Sequence, residues 1–432
     1  MFQTLINAFK NRDVRRKILI TLGMLFLYRI GCWLPVPGIS AGWYGEAQQS
    51  DTLLGLLSSI TGGALANGAF LAIGISPYIN ASIIVQLLTI AIPKLEQWSK
   101  QGDEGRKKIS KVSRYLTLVL AIAQATGIVV STAQSDGISA AFFGSGTPVW
   151  LVGCFVAIML VAGSMFTMWL GERITDYGVG NGISLLIFVG IVAWAGQAIL
   201  SLIMEIPSND TAIWELIGFL LMVVFVFGFI VFVDLAERRV PIQYAKQVKG
   251  RKMYGGQSTN IPIKVNASGV LPIIFATAIW TFPQLIMSMF WPNSSAYAWY
   301  MRYMGSGTVV YAIVVAILIF AFSYFYAQIQ FNPEDVARNI QQYGGFIPGI
   351  RPGKPTSEHL NRISKRLTFA GALFLAIIAL VPSVIFAIVL NDATLVNAFS
   401  ATGMLIVVSV ALEINKQLES QLMMKQYKGF LK

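Results

Sequence analysis

The side chains that usually do chemistry are scarce in this sequence and badly spaced for it. A single histidine, His359, leaves no partner for a two-histidine zinc site and none to activate a nucleophile within a membrane. No Gly-x-Ser-x-Gly elbow occurs. The stretch GIRPGKP, Gly349 to Pro355, resembles a phosphate loop. It has three residues between the glycines where four are needed, and Pro355 stands where a Ser or Thr would meet magnesium. Gly178, Gly180 and Gly182 follow no strand, so they read as a turn into a helix rather than as a dinucleotide site. Cys32 and Cys154 both lie in apolar runs, which suits buried thiols and neither a disulfide framework nor a metal cluster. No cofactor, metal or catalytic residue is expected.

Ion-coupled transport would need acids or bases deep inside apolar spans. Arg29 is the one clear case; Glu172, Asp234 and Glu413 fall at span ends. Arg29 is read either as a functional group or as a side chain that snorkels or pairs with backbone. What remains is apolar. Ile79 and Ile83, and again Ile183 and Ile187, are four residues apart and share one helix face. Such pairs usually face lipid or core. Here Asn80, Ser82 and Gln86 share the first helix, and Gly182 and Ser184 open the second, so each helix has a face suited to a wet path. Stiff, branched side chains ringing such a path gate it by dewetting and close fit.

The elements that must hold these residues are membrane spans. With 55% hydrophobic and 12% charged residues, and a mean hydropathy of +0.65, the chain exceeds what a soluble core could bury. Ten apolar runs are long enough to cross a bilayer, near 18–34, 74–92, 115–133, 149–170, 182–200, 213–233, 268–290, 308–326, 367–389 and 395–413. The expected fold is all-α and polytopic, with five plus five helices in two inverted pseudo-symmetric halves, 18–200 and 213–413, joined by an external hinge at 201–212. Of 32 basic residues, 30 fall before the first span, in every second loop or in the tail at 414–432, which places both termini in the cytoplasm. Residues 1–17 form an amphipathic basic helix, expected on the membrane surface with Phe2, Leu5, Ile6 and Phe9 facing lipid. The two long basic loops, 234–267 and 327–366, contain strand formers, tyrosines and turn signals, and are read as docking surfaces.

Between the first two spans, Asp51 to Ile92 begins too Gly-rich and polar to cross. A half-length insert is tolerated only where protein or a watery cavity surrounds it, so this stretch predicts a re-entrant segment within a cavity.

Several stretches are together specific: YRIGCWLPVPGI (28–39), ISPYINASIIVQLL (75–88), ITDYGVGNGISLLIF (174–188), IPIKVNASGVLPIIFA (261–276), GFIPGIRPG (345–353) and ATGMLIVVSVALE (401–413). In these the chain resembles the SecY family, pore subunits of the bacterial Sec protein-translocation channel, from the first span to the tenth. The resemblance implies a clam-like bundle around an hourglass pore, ringed by Ile79, Ile83, Ile183, Ile187, Ile274 and Ile406. A plug helix at about 53–70 would include Leu56, Ser58, Ser59, Thr61, Gly62, Gly63 and Asn67. Gln124 and Asn266 are similar to lateral-gate positions, with Gln86 a weaker addition from its own polarity. Arg251, Lys252 and Arg351 would meet the motor ATPase SecA or the ribosome, with guanidinium groups suited to phosphates or acidic surfaces. The implied partners are also the small membrane subunits SecE and SecG, signal sequences, unfolded polypeptides and membrane lipids; the implied location is the bacterial plasma membrane. A small-solute transporter is the rival reading, and it would leave the long basic loops without a task.

Overall fold

A computed structural model describes residues 2–39, 61–65, 67–134, 138, 148–205, 212–244, 247–249, 252–254, 258–266, 269–291, 294–305, 308–389 and 401–429. Each of the ten apolar runs carries a helix over most of its described length. The helices are α1 (Phe2–Lys10), α2 (Arg12–Gly31), α3 (Ser76–Ala91), α4 (Pro93–Lys100), α5 (Asp103–Gln134), α6 (Val149–Tyr177), α7 (Gly182–Glu205) and α8 (Ala212–Asp234). They continue with α9 (Leu271–Phe290), α10 (Ser295–Met304), α11 (Val309–Gln330), α12 (Pro333–Gln342), α13 (Lys354–Val389) and α14 (Ala401–Gly429).

Among the described residues, five helical stretches are each long and apolar enough to cross a bilayer, within α5, α6, α8, α11 and α13. In α8 the 19 residues from Leu216 have a mean hydropathy of 3.1, yet only 17% of this apolar stretch is buried. Phe225, Phe232, Val224 and Leu221 point outward, which water would penalise and lipid would not. Helix α2 falls short for a legible reason: its first turns are the charged RDVRRK.

The chain forms two compact units. The first comprises 1–218, 281–306 and 386–432; the second comprises 219–280 and 307–385. In the first, α3, α5 and α6 pack in sequence, and α7 packs against both α6 and α14. The backbones of α6 and α7 approach so closely that a Cβ on Gly182 would overlap the Gly171 carbonyl. This gives Gly182, read from sequence as a turn, a packing role as well. Helix α1 also belongs here: Ala8 is buried with Val14, Val179 and Leu418, while Ile6 and Phe9 stay exposed. The helix thus lies against α14 and α2 and keeps an outward apolar side.

The second unit contains a feature that an all-α reading omits. Strand β1 (Glu237–Tyr244) pairs antiparallel with β4 (Ser258–Lys264) and with β5 (Gly345–Phe346), and the short strands β2 (Gln247–Lys249) and β3 (Lys252–Tyr254) form a hairpin between β1 and β4. Strand β1 reads ERRVPIQY, and the side chains of Val240 and Ile242, two apart, point to one face. There they meet Ile263, Ile340, Ile347 and Leu360, each buried. The two long basic loops are therefore one body with its own core.

Candidate functional site

Five of the six candidate ring isoleucines belong to the first unit: Ile79 and Ile83 on α3, Ile183 and Ile187 on α7, and Ile406 on α14. Ile187 lies in an apolar cluster with Tyr28, Cys32, Ala64, Leu71 and Ile191, and Ile79, Ile183 and Ile406 pack against that cluster while staying partly exposed. Ile83 is buried, one turn further along α3 and outside this cluster. Ile274 is partly buried near the start of α9, in the second unit.

The candidate plug residues divide. Leu56, Ser58 and Ser59 lie outside the described residues. Thr61, Gly62 and Gly63 are buried, whereas Asn67 is exposed. Together with Ala64, Ala69 and Leu71 this segment joins the same cluster as the isoleucines. The loose packing that the Gly and Ser content would suggest for a plug is not found at this end of the segment. Thr61, Ala64, Leu65, Ala69 and Leu71 are each at most 2% exposed. The glycines serve the backbone instead: Gly62, Gly63, Gly68 and Gly74 all have positive φ, and on α6 a Cβ at Gly163 would overlap the Phe70 carbonyl.

A segment buried without a helix or sheet must satisfy its carbonyls in other ways. Two backbone bonds tie it to the chain just after α2, from Val36 N to Gly68 O at 2.9 Å and from Phe70 N to Leu34 O at 2.7 Å. Three side chains supply further donors. The Ser164 hydroxyl donates to Gly74 O at 3.0 Å, the Arg29 guanidinium to Gly62 O at 3.4 Å, and the Cys32 thiol sits 3.9 Å from Thr61 O. Arg29 and Cys32 are three apart on one face of α2, so neighbouring carbonyls are met by neighbouring side chains. Arg29 thus pairs with backbone, one of the two readings its sequence position left open. Cys32 was legible only as a buried thiol; its spacing from the odd arginine is the signal that links the two.

The remaining candidates are scattered. Gln86 is partly buried on α3 and Gln124 buried on α5, both in the first unit. Asn266, in the second, is buried and donates from Nδ2 to Asp234 Oδ1 at 3.2 Å, leaving its own Oδ1 without a partner. Glu172, at the end of α6, forms a 2.8 Å ion pair with Arg114 on α5, so it belongs to helix packing. Arg351 is exposed in the turn between β5 and α13, bracketed by Gly349 and Gly353 at φ of 80° and 96°. Its carbonyl accepts from the Thr356 hydroxyl at 2.8 Å, which stiffens the turn. Lys252 begins β3, and Arg251 lies outside the described residues.

The described residues thus hold an apolar cluster that joins candidate ring and plug residues in the first unit and, in the second, a basic body carrying an exposed arginine. The SecY sequence profile matches residues 69–415. The chain belongs to the SecY family. It is 43% identical to the protein translocase subunit SecY of Halalkalibacterium halodurans and 41% identical to that of Streptomyces coelicolor, in each case over all of both chains. Solved structures agree in fold. One described as a protein conducting channel superposes with a TM-score of 0.64 at 22% identity, covering 94% of this chain and 92% of that one. A Sec61 in a canine ribosome-channel complex from the endoplasmic reticulum gives 0.59 at 20% identity, with the same coverage. SecY-family membership makes this a multi-pass membrane protein, and the outward apolar faces of its helices are the lipid-facing surface.

Proposed function

We propose that this chain is the central pore subunit of a protein-conducting channel, a conduit and not an enzyme. It passes unfolded secretory polypeptides across the bacterial plasma membrane and releases apolar segments sideways into lipid. The observation that carries this reading is the convergence of Ile79, Ile183, Ile187 and Ile406 with the plug residues in one apolar cluster, in a chain of the SecY family. Branched side chains at a narrow wet path exclude ions by dewetting while parting around a threading chain. Ile83 and Ile274 complete the ring in this reading, and Leu56, Ser58 and Ser59 extend the plug.

Both termini and the loop body lie in the cytoplasm, as the charge asymmetry supports. Arg351, with Arg251 and Lys252, then faces the ribosome or SecA, and SecE and SecG accompany the chain in the membrane. In this reading Gln86, Gln124 and Asn266 line a lateral gate between the second and third spans on one side and the seventh and eighth on the other. Burying about 20 apolar residues in lipid is favourable, so signal sequences and transmembrane segments leave by that gate, whereas polar segments continue across.

The test is crosslinking. Cysteines at positions 79, 183 and 406, in separate variants, should each crosslink to a polypeptide stalled during export, and cysteines at lipid-facing Val224 or Phe232 should not. Equal labelling at both sets would reject the assignment.

A further inference from the structure

Resting on that pore reading, we infer that Arg29 is a positioning residue for closure: its guanidinium, with the Cys32 thiol, clasps the plug by the carbonyls of Thr61 and Gly62 and must let go when the channel opens. Arg29 is a charge within an apolar span, which is expensive to keep. Among the described residues it forms no ion pair with a carboxylate. Its partner is a backbone oxygen 33 residues on.

The local geometry is built for that partner. Gly62 has φ of 68°, and a Cβ there would lie 2.6 Å from the Arg29 Nη1 and 2.8 Å from the Gly190 carbonyl, so only glycine lets the carbonyl reach the guanidinium. The residues on either side, Thr61 and Gly63, are buried, while Gly63 would crowd Trp194 on α7 if it carried a side chain. The clasp therefore holds the plug in the angle between α2 and α7, directly against the cluster that contains Ile187.

A side chain bonded to a carbonyl is suited to a reversible closure. At Thr61 and Gly62 no ladder has to unzip, and a long guanidinium can turn to water or to lipid headgroups once this end of the plug departs. A permanent anchor would gain more from a carboxylate partner or from continuous backbone pairing.

The experiment measures ion leak through the channel in planar bilayers, with Ile187→Gly as the control for the pore itself. Arg29→Met should raise the leak of the resting channel about tenfold, the effect of losing one hydrogen bond to a charged group. Gly62→Ala should do the same, and the double variant should leak no more than either single one. Arg29→Lys, which keeps a charged donor, should restore most of the seal. In a variant with residues 54–66 replaced by a short Gly-Ser linker, Arg29→Met should change nothing. The inference is overturned if Ile187→Gly leaks while Arg29→Met stays tight. It is also overturned if Arg29→Met acts equally with and without the plug, or lowers thermal stability with no added leak. If Ile187→Gly is itself tight, the pore reading falls and the clasp falls with it.

Discussion

Two small apolar cores in this molecule are built by opposite rules. In the loop body, Val240, Ile242, Ile263, Ile340, Ile347 and Leu360 are covered by a sheet whose central strand is paired along both edges. At the candidate plug, Ala64, Ala69 and Leu71 are equally buried, yet beyond local turn bonds within the segment the backbone is tied to its surroundings by two backbone bonds and by single side-chain donors. A ladder shares its hydrogen bonds among many residues and breaks cooperatively. Separate donors release one at a time. The comparison teaches that burial alone does not distinguish a segment that must stay from one that must move; the manner in which its carbonyls are satisfied does.

Four substitutions would break or sharpen that contrast. Leu360→Ala removes a fully buried side chain from the loop core and should cost about 3 kcal/mol there. Limited proteolysis should then cut within 234–267 and 327–366 together, because the two loops share that core. Independent cleavage of one loop would show that they are not a single body. Gly163→Ala places a methyl group where the Phe70 carbonyl sits and should cost about 2 kcal/mol, shifted toward plug release. Raised resting conductance with little change in melting temperature is the expected result.

Ser164→Ala deletes the donor to Gly74 O and should cost about 1 kcal/mol in thermal unfolding, with a smaller rise in leak than Gly163→Ala. A larger rise would move the weight of closure from α2 to α6. Arg351→Glu is an exposed change and should alter stability by less than about 0.5 kcal/mol. Motor-driven export in vesicles should nonetheless fall several-fold while membrane insertion is spared, since charge reversal acts on association.

The spans were legible because lipid imposes one rule over some twenty consecutive residues, and every apolar run carries a helix over most of its described length. The isoleucine pairs were legible from a spacing of four. The loop body was legible only in part. Strand-forming residues in β1 and β4 stand out, but β5 is two residues long and lies about a hundred positions away, where no local signal reveals its partner. The plug contacts were hidden for another reason. Their acceptors are backbone oxygens, which every residue carries, so Arg29 was visible as an anomaly without a visible partner. Glycine content suggested looseness because it reports freedom in the unfolded chain; in the folded one the same residues permit positive φ and close approach.

The place of α14 carries a consequence for how the protein is made. Ile406 packs against the cluster built by α2, α3 and α7, although about 200 residues, including the whole second unit, are synthesised between α7 and α14. At roughly 5 to 20 residues per second, that leaves the proposed ring without one wall for about 10 to 40 seconds. A nascent chain is thus already membrane-bound before its aperture is complete, and cells that produce it face a brief interval in which the half-made protein must be kept from conducting.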